Sequence, residues 1–486
     1  MVVVGDALLD RDVEGSAERL CPEAPAPVVD VTAERTRPGG AGLAALLAAA
    51  DGRPTVLVTA LGDDDAGAEV RRLLAAAGVA LVDLGLPGPT PEKARVLADG
   101  HLLVRVDRGD GARPGRWTAA AADAVAGARA VLVADYGRGM ATTGELREAL
   151  ARLPVRVPVV WDPHPRGPDP VPGARLVTPN RREAAAAVPQ VAGSGLAADA
   201  ARAEALCGRW QAAAVAVTRG ADGAVLWSGE GPALAVPASR ATGDPCGAGD
   251  RFASAAAGHL ADGALPSEAV TRAVVAASTY VAAGGAAGIG EDGNGAAHVP
   301  PASRSDGGVH GAGPAASAAG DDRATGTSAA TALAARVRQR GGTVVASGGC
   351  FDLLHAGHVR TLEAARALGD CLVVCLNSDA SVRRLKGEGR PVVPQADRAA
   401  VLLGLGCVDA VAFFDDDTPA PLLERLRPHL FVKGGDYAMG RRGPHGLADL
   451  PEAEVMARWG GRAMVVPYLE GRSTSTLVAA AARRGG

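Results

Sequence analysis

Lysine, asparagine and long apolar runs are scarce in this chain of 486 residues. Because no apolar run reaches the ~18 residues needed to cross a bilayer, a membrane-spanning segment is not expected. The formal net charge of −4 shows no excess of either sign, which argues against a nucleic acid or a membrane surface as the main partner. The chain opens into a strand without a basic segment or a cleavage site, so we expect a cytoplasmic protein without a signal peptide.

Cysteine is present without the spacing that is typical of a metal site. The seven cysteines include no C-x-x-C pair, and an odd number in a long chain favours reduced thiols in the cytoplasm. Cys371 and Cys375 lie in an apolar, strand-like run, which favours core packing over a metal site. Only three of the 50 basic residues are lysine, at Lys93, Lys386 and Lys433, so these positions attract attention.

The length exceeds what one hydrophobic core supports, and the residue pattern divides the chain. Residues 1–300 alternate β-branched runs with Ala-, Leu- and Arg-rich stretches, which predicts βαβ units and a mainly parallel sheet. Residues 301–330 predict a flexible linker, since they lack apolar periodicity. A second α/β domain is predicted at 331–486, and a helix over 328–340 leads into it.

Specific boundaries follow from the alternating runs. In the first region the predicted strands are Thr55–Thr59, Ala130–Ala134, Val159–Trp161, Leu176–Val177 and Ala214–Thr218, and the predicted helices are Gly42–Ala50, Ala66–Ala77 and Ser267–Ala283. In the second region we predict a strand at Thr343–Ala346, a helix at 358–368 and a strand at Cys371–Leu376.

The string from Gly349 to His358, which reads GCFDLLHAGH, stands between a predicted strand and a predicted helix. A helix N-terminus offers free N–H groups and the positive end of a dipole, which suit a phosphate group. His355 and His358 can both face that phosphate and donate hydrogen bonds to the charge that develops at the α-phosphorus. Two surface histidines or a metal pair would explain the histidines alone, but the whole string resembles the signature of the nucleotidyltransferase superfamily.

Other polar residues of this region lie at the ends of later strands or in glycine-containing turns. A lysine or a Ser/Thr cap needs no function by itself, but their order favours triphosphate binding. The residues predicted to bind the nucleotide are Phe351, Asp352, Asn377, Asp379, Arg398, Lys433, Ser473, Thr474 and Ser475. Lys386 is predicted to be catalytic together with His355 and His358.

A second phosphate-binding pattern, Gly247-Ala248-Gly249-Asp250, precedes a long Ala-rich helix in the first region. Successive N–H groups of Gly247, Ala248 and Gly249 at a helix start make an anion hole. Asp250 can accept the proton of a hydroxyl group that attacks a γ-phosphate. Glycine-rich turns are common, so this pattern needs support from its surroundings.

That support comes from polar residues near the ends of other strands. Carboxylates after the first strand can accept hydrogen bonds from sugar hydroxyl groups, and a Gly-Gly turn lets the backbone approach a sugar. The predicted sugar-binding residues are Asp6, Asp10, Gly39 and Gly40. The predicted nucleotide-binding residues are Asn180, Glu183, Thr218 and Gly220. Of these, Asn180 and Glu183 are also candidates to organise Mg²⁺ through water. Each carboxylate alone is more often a cap, but the order of elements resembles the ribokinase-like (PfkB) sugar kinases.

Both regions, in this order, resemble the bifunctional family that joins a heptose 7-phosphate kinase to a heptose 1-phosphate adenylyltransferase. The string Pro22-Glu23-Ala24-Pro25 is the most diagnostic. The resemblance implies a ribokinase-like three-layer domain with a β lid, then a Rossmann-like nucleotidyltransferase domain, in a homodimer. It implies two reactions that use ATP with Mg²⁺: phosphorylation of D-glycero-D-manno-heptose 7-phosphate at C1, and adenylyl transfer to heptose 1-phosphate. Lys93 and Arg95 would hold the sugar phosphate or close the lid.

Two positions depart from the family pattern. Leu43 stands where the family usually has asparagine, which would remove a hydrogen bond to the sugar. Pro245-Cys246 stands where the family has Val-Thr or Thr-Val, which removes a hydroxyl group and a backbone N–H. These departures leave two alternatives open: an active adenylyltransferase whose kinase region is a weakened sugar-binding and dimerisation module, or an enzyme that takes another sugar phosphate or CTP.

Overall fold

The computed structural model describes residues 1–109, 113–229, 231–291, 297–298, 324–435 and 451–467. They fall into two compact units. The first unit lies within Met1–Pro189, Ala205–Ala221 and Ser239–Asp306, and the second lies within Gln190–Glu204, Asp222–Ala238 and Gly307–Gly486.

Short strands and Ala-rich helices alternate through most of both units. The strands are β1 Val2–Gly5, β2 Ala7–Leu20, β3 Pro27–Gly40, β4 Val56–Thr59, β5 Ala80–Asp83, β6 Glu92–Ala98, β7 His101–Arg108, β8 Val131–Ala134, β9 Val159–Asp162, β10 Leu176–Val177, β11 Val215–Thr218, β12 Ala224–Trp227, β13 Ala233–Val236, β14 Gly290–Glu291, β15 Ala297–His298, β16 Ala324–Thr325, β17 Val344–Gly349, β18 Cys371–Asn377, β19 Ala410–Phe414, β20 Leu430–Gly435 and β21 Arg462–Pro467. The helices are α1 Ala41–Ala50, α2 Asp65–Ala76, α3 Ala119–Ala126, α4 Gly144–Ala151, α5 Arg181–Ala187, α6 Leu196–Trp210, α7 Ala248–Ala261, α8 Pro266–Ala282, α9 Thr327–Gln339, α10 Ala356–Ala367, α11 Asp379–Lys386, α12 Gln395–Gly404, α13 Ala420–Leu426 and α14 Pro451–Ala457.

The first unit is built on a parallel sheet in the order β5-β4-β1-β8-β9-β10-β11. β1 occupies the interior of this sheet, and its valines are buried because helices cover both faces of a parallel sheet. A second, four-stranded sheet in the order β3-β2-β6-β7 forms the lid. In this sheet β2 pairs antiparallel with β3 and parallel with β6, and β6 pairs antiparallel with β7. The predicted parallel sheet and β lid are confirmed.

The second unit contains a parallel sheet in the order β16-β19-β18-β17-β20-β21. The strand order reverses at β17, which has β18 on one side and β20 on the other. In sheets of this type, ligands bind in the crevice beyond the carboxyl ends of the strands at that reversal. All seven residues of β18 are buried, and Cys371 and Cys375 lie in the core cluster as expected. The predicted Rossmann-like arrangement is confirmed.

The boundaries of individual elements agree closely with those expected from the sequence. The five strands and three helices predicted within residues 1–300 are present, with ends displaced by no more than one residue. The predicted linker lies mostly outside the described residues, because 301–323 are not among them. Its last part is corrected, since β16 pairs with β19 and α9 begins at Thr327. No helix within the described ranges is long and apolar enough to cross a membrane.

Candidate active sites

Asp250, the predicted kinase base, lies in the first turn of α7, beside the carboxyl ends of the central strands of the first unit. Its side chain is buried, and its Oδ1 accepts a hydrogen bond of 2.6 Å from the hydroxyl group of Tyr136. Burial and the nearby charge of Asp10 raise the pKa of Asp250 to about 7, although Tyr136 and Lys93 oppose this rise. A carboxylate with this pKa is well matched to proton transfer near neutral pH.

The anion hole begins at Gly247, which precedes α7 with a positive φ of 77°. A Cβ atom there would lie 2.6 Å from the hydroxyl oxygen of Tyr280 and 2.7 Å from a methyl group of Leu43, so only glycine fits. A Cβ atom on Gly249 would meet nothing within 4 Å, which leaves room for a phosphate group to approach. The Ala248 N–H group donates to the carbonyl oxygen of Pro245.

Leu43 lies in the first turn of α1, beside the predicted anion hole. Its side chain is 1% exposed and packs with Leu47 and Tyr280 beneath the turn at Gly247. A leucine offers no hydrogen bond, and the loss of a sugar contact at this position stays a prediction. The side chain supports the turn at Gly247 from its apolar side.

Asp6 braces a loop beside the kinase site. Its Oδ2 accepts hydrogen bonds from the backbone N–H groups of Tyr136 at 3.1 Å and Arg138 at 3.0 Å. Its Oδ1 accepts a third, at 3.0 Å, from the N–H group of Met140. Three donors on one buried carboxylate fix the loop after β8, and a contact of Asp6 with the sugar stays a prediction.

Asp10 lies in β2, on the lid side of the site, and its charge acts on Asp250. Its Oδ1 lies 3.3 Å from a guanidinium nitrogen of Arg95, and its Oδ2 lies 2.5 Å from where a Cβ atom of Gly39 would stand. Arg95 also donates to the Sγ atom of Cys246 at 3.2 Å. The lid strand β6 therefore contacts both the candidate sugar-binding carboxylate and the residue before the anion hole.

Further carboxylates gather at the ends of β8, β9 and β10. Burial raises the pKa of Asp135 to about 7, and Asp6 and Glu183 add to the rise. Burial also raises the pKa of Asp162 and of Glu183. Because these groups repel one another when ionised, this side of the site favours a nearby cation.

Asn180 and Glu183 form a capping box at the start of α5. The Asn180 Oδ1 accepts from the N–H group of Glu183 at 3.0 Å, and the Glu183 Oε2 accepts from the N–H group of Asn180 at 2.7 Å. Asn180 also forms a bridge with Thr218 at the end of β11, and the Gly220 turn follows directly. The fold thus brings the four predicted nucleotide-binding residues to one edge of the sheet, and their contact with a nucleotide stays a prediction.

In the second unit, His355 and His358 lie at the start of α10, directly beyond β17. Their rings stack with centroids 3.9 Å apart and planes 29° apart. Phe351 contacts His358 from another side, with ring centroids 5.3 Å apart, and it holds an unusual positive φ of 45°. Burial, His355 and Lys386 together lower the pKa of His358 to about 4. A neutral imidazole with a buried environment donates through one nitrogen to a phosphate oxygen.

Arg398 is a buried brace, and the predicted nucleotide contact is corrected. Its side chain is inaccessible to solvent and donates to the carbonyl oxygens of Val393 at 2.9 Å, Cys350 at 2.6 Å and Asn377 at 3.0 Å. It also binds the carboxylate of Asp379 at 2.7 Å. These contacts join the loop after β17 to the end of β18 and engage four of the five N–H groups of the guanidinium within the protein.

Asp352 is corrected in the same way. Its Oδ1 accepts from the backbone N–H groups of Val392 at 2.7 Å and Val393 at 3.0 Å, and its Oδ2 lies 2.8 Å from the guanidinium group of Arg390. The side chain therefore anchors the segment before α12. Asn377, which donates to the hydroxyl group of Ser381 at 3.0 Å, remains at the carboxyl end of β18.

The lysines of the second unit have different environments. Lys386 is the exposed last residue of α11, and its charge reaches His358. Lys433 pairs at 2.8 Å with buried Glu452 and lies over the ring of Phe431. Their roles toward a nucleotide stay predictions. The predicted residues Ser473, Thr474 and Ser475 lie outside the described residues.

The comparisons with known proteins agree with both sites. The family described as pfkB family carbohydrate kinase matches residues 1–291, and the family described as Cytidylyltransferase-like matches residues 346–452. The bifunctional protein HldE of Streptomyces coelicolor is 56% identical over 489 residues, which cover 99% of this chain and 96% of that protein. The chain belongs to the HldE family of bifunctional proteins.

A second HldE relative, from Azorhizobium caulinodans, is 39% identical over 99% of this chain and 98% of its own length. Among solved structures, the tetrameric inhibited form of phosphofructokinase-2 from Escherichia coli aligns over 58% of this chain and 95% of its own, at 18% identity and a TM-score of 0.48. Membership of the HldE family confirms the predicted pair of enzyme classes, a sugar kinase followed by a nucleotidyltransferase. The domain boundaries at 300 and 330 stay predictions.

One residue of this HldE member's kinase site was missed as a site residue. Tyr136 follows β8, and no motif in the sequence marks it as a site residue. Five strands, β9 to β13, lie between it and α7 in the chain, so the sequence gave no signal of its contact with Asp250. The spatial signal lies in the parallel sheet, which places the carboxyl ends of β1, β8 and β9 side by side.

Proposed function

We propose that the first unit phosphorylates D-glycero-D-manno-heptose 7-phosphate at C1 and that the second unit transfers AMP from ATP to heptose 1-phosphate. The products are the 1,7-bisphosphate, and then ADP-heptose with pyrophosphate. The observation that carries this proposal is the presence, in one chain of the HldE family, of a buried carboxylate at the start of α7 and a stacked histidine pair at the start of α10.

In the kinase step, Asp250 takes the proton of the C1 hydroxyl group as its oxygen attacks the γ-phosphorus of ATP. The N–H groups of Gly247 and Gly249 at the start of α7 stabilise the charge on the transferred group, whereas that of Ala248 is bonded to Pro245. Asp10 orients the sugar, while Gly39 leaves space beside its carboxylate. Lys93 and Arg95 extend from the lid strand β6 toward the same space, where they would hold the sugar phosphate.

Mg²⁺ bound to ATP fits the polar groups of the kinase site. Within the described residues, no group of three or more Cys, His, Asp and Glu side chains is spaced to hold a metal ion directly. We propose that the ion is held mainly by phosphate oxygens and water. Asn180 and Glu183 would hold it through water, and the raised pKa values of Asp162 and Glu183 fit a site that lacks positive charge. Bound there, Mg²⁺ would neutralise phosphate charge.

In the transferase step, an oxygen of heptose 1-phosphate attacks the α-phosphorus of ATP, and pyrophosphate leaves with the bonding electron pair. His355 and His358 donate hydrogen bonds to the α-phosphate, and Lys386 supplies positive charge near them. Asn377 and Asp379 lie at the carboxyl end of β18, where the sheet order favours nucleotide binding. Lys433, although it pairs with Glu452, is a further candidate to contact the triphosphate.

The two steps imply partners of a defined chemistry. A separate phosphatase must remove the 7-phosphate between them, so the product of one unit does not pass directly to the other. We propose that the enzyme works in the cytoplasm as a homodimer that pairs through the lid. The edge strand β7 supports this, because Leu102, Leu103 and Val104 are all exposed on it.

Product analysis by mass spectrometry tests both steps. The protein is incubated with heptose 7-phosphate or heptose 1-phosphate and with either ATP or CTP, and Asp250→Ala is run beside it. We expect heptose 1,7-bisphosphate from ATP only with the original chain, and ADP-heptose from both proteins. Equal inertness of the two proteins toward heptose 7-phosphate would favour the weakened-kinase alternative. If the enzyme prefers CTP to ATP, or another sugar phosphate to the heptose phosphates, the preferred compound replaces the proposed substrate.

A further inference from the structure

The side chain of Tyr136 contacts the candidate base of the kinase site directly. Its hydroxyl group donates to the Oδ1 atom of Asp250 over 2.6 Å. The phenol reaches Asp250 from the loop after β8, whereas Asp250 itself belongs to α7. Burial and the neighbouring carboxylate raise the pKa of Tyr136, so the phenol keeps its proton and remains a donor.

Three further contacts fix the position of this tyrosine. Its backbone N–H group donates to the Oδ2 atom of Asp6. A Cβ atom on Gly40 would lie 3.4 Å from two carbon atoms of the Tyr136 ring, so the absence of a side chain at Gly40 lets the backbone pass beside the ring. On the lid side, the Nζ atom of Lys93 stands 5.2 Å from the ring centroid, within range of a cation–π interaction.

We propose that Tyr136 is a positioning residue of the kinase, which holds the Asp250 carboxylate through Oδ1 and directs Oδ2 toward the acceptor hydroxyl group. The proposal rests on the proposed function in one respect, because it takes Asp250 as the base. A carboxylate on a short side chain can rotate about its last bond, and one strong donor on one oxygen selects a single orientation.

The bonds of the step balance without a further reactant. As the acceptor oxygen forms its bond to the γ-phosphorus, its proton passes to Oδ2 of Asp250. The bond between the γ-phosphorus and the bridging oxygen breaks, and its electron pair leaves with ADP. Tyr136 neither gains nor loses a proton, and its hydrogen bond stabilises the ionised carboxylate before the transfer.

The contact with Lys93 extends this arrangement to the lid. Lys93 lies on β6, where its backbone is paired with that of Asp10 on β2. A displacement of the lid therefore changes the charge above the Tyr136 ring and, through the phenol, the environment of Asp250. The base and the lid are connected by one aromatic side chain.

The first test is the pH profile of kinase kcat/KM for Tyr136→Phe, which removes only the hydroxyl group. Loss of the donor disfavours the ionised carboxylate, so we expect the acid limb to move upward by about one pH unit, the size that a hydrogen bond to a charged group produces. Tyr280→Phe makes the same chemical change at the other side of Gly247, and its acid limb should stay in place. A role limited to packing would lower the rate of Tyr136→Phe without moving the limb, and that result would overturn the proposal.

A second test does not depend on kinase activity. The sequence has four tyrosines, so protein labelled with fluorotyrosine gives a ¹⁹F spectrum in which Tyr136→Phe identifies the signal. We expect that signal to titrate with a midpoint near the pKa of Asp250, about 7, and to stop titrating in Asp250→Asn. A signal that stays constant through this range in the original chain would refute the contact. If the signal titrates but no phosphorylated sugar forms, the contact stands and the proposed function fails.

Discussion

The kinase and transferase sites use opposite kinds of titratable group, and burial moves both kinds away from their charged forms. In the kinase site the pKa of Asp250 rises to about 7, and in the transferase site the pKa of His358 falls to about 4. Desolvation is the largest cause of both shifts, because a buried charge loses its hydration. The neighbours reinforce the difference, since Asp10 repels an ionised Asp250 while His355 and Lys386 repel a protonated His358.

The two sites also differ in what braces them. Asp6 holds the kinase loop after β8 as an anion that accepts three backbone N–H groups. Arg398 holds the transferase loops as a cation that donates to three carbonyl groups and to Asp379. In each case a buried side chain near the site makes several hydrogen bonds within the protein. We propose that Asp250 and His358 differ from such braces, because their polar atoms would act on the reacting groups.

The largest effect that sharpens this comparison is expected from His358→Ala. Loss of a donor to the charge at the α-phosphorus should lower adenylyl transfer by about 10²–10³-fold, equivalent to ~3–4 kcal/mol. Kinase turnover should stay unchanged, because the histidine belongs to the other unit. Both activities are measured by product formation from their separate substrates.

His101→Ala is the matched control, since His101 is an exposed residue of the lid strand β7. It should leave adenylyl transfer unchanged. An equal loss of both activities in His358→Ala would contradict independent sites.

The sequence predicted the architecture well, because parallel strands and Ala-rich helices have periodicities that survive without tertiary information. It also located the glycine-rich turns, and Gly247 is explained by a left-handed φ that a side chain would resist. The order of motifs and the resemblance they carried identified the chemistry. These features depend on residues close together in the chain.

The sequence could not separate ligands from braces. Asp6, Asp352 and Arg398 have the residue types that bind sugars and nucleotides, and only the three-dimensional contacts assign them to the protein interior. The packing of Leu43 could not be predicted for the same reason, since the direction of its side chain depends on how α1 packs against α7 and α8. Tyr136 was overlooked because a phenol becomes significant only through the carboxylate that it reaches.

Leu43→Asn tests whether position 43 of the kinase unit serves packing or contact with the sugar. Because Leu43 is 1% exposed in an apolar cluster, an asparagine there buries an amide without partners. We expect a loss of about 2–3 kcal/mol in the free energy of unfolding of the kinase unit. The KM for the sugar should not improve. Thermal unfolding and kinase kinetics give the two quantities.

Leu43→Met is the control for this position, because it conserves volume and should cost less than about 1.5 kcal/mol. A lower sugar KM in Leu43→Asn, without loss of stability, would restore the interpretation that the position faces the substrate.

A smaller effect, confined to the transferase unit, is expected from Arg398→Lys. A lysine keeps the charge but cannot reach all four oxygens, so at least one buried carbonyl group loses its donor. The loss should be about 2 kcal/mol in unfolding free energy, with kinase activity retained. Arg383→Lys, on the exposed face of α11, should change neither quantity. Normal stability together with a raised KM for ATP would indicate that Arg398 binds nucleotide after all.

The last effect concerns pH and compares the two sites within one protein. Asp250 can act as a base only when its carboxyl group is ionised, which requires a pH above its raised pKa of about 7. Kinase kcat/KM should therefore fall roughly tenfold per unit below pH 7 and level off above it. His358, whose pKa is lowered to about 4, is already neutral at higher pH. In the free enzyme it should therefore cause no fall in adenylyltransferase kcat/KM until the pH approaches 4. Between pH 5 and 7 the ratio of kinase to adenylyltransferase kcat/KM should therefore rise steadily. A constant ratio across that interval would mean that burial does not set the protonation of the two sites in opposite directions, and the comparison on which their different chemistry rests would fail.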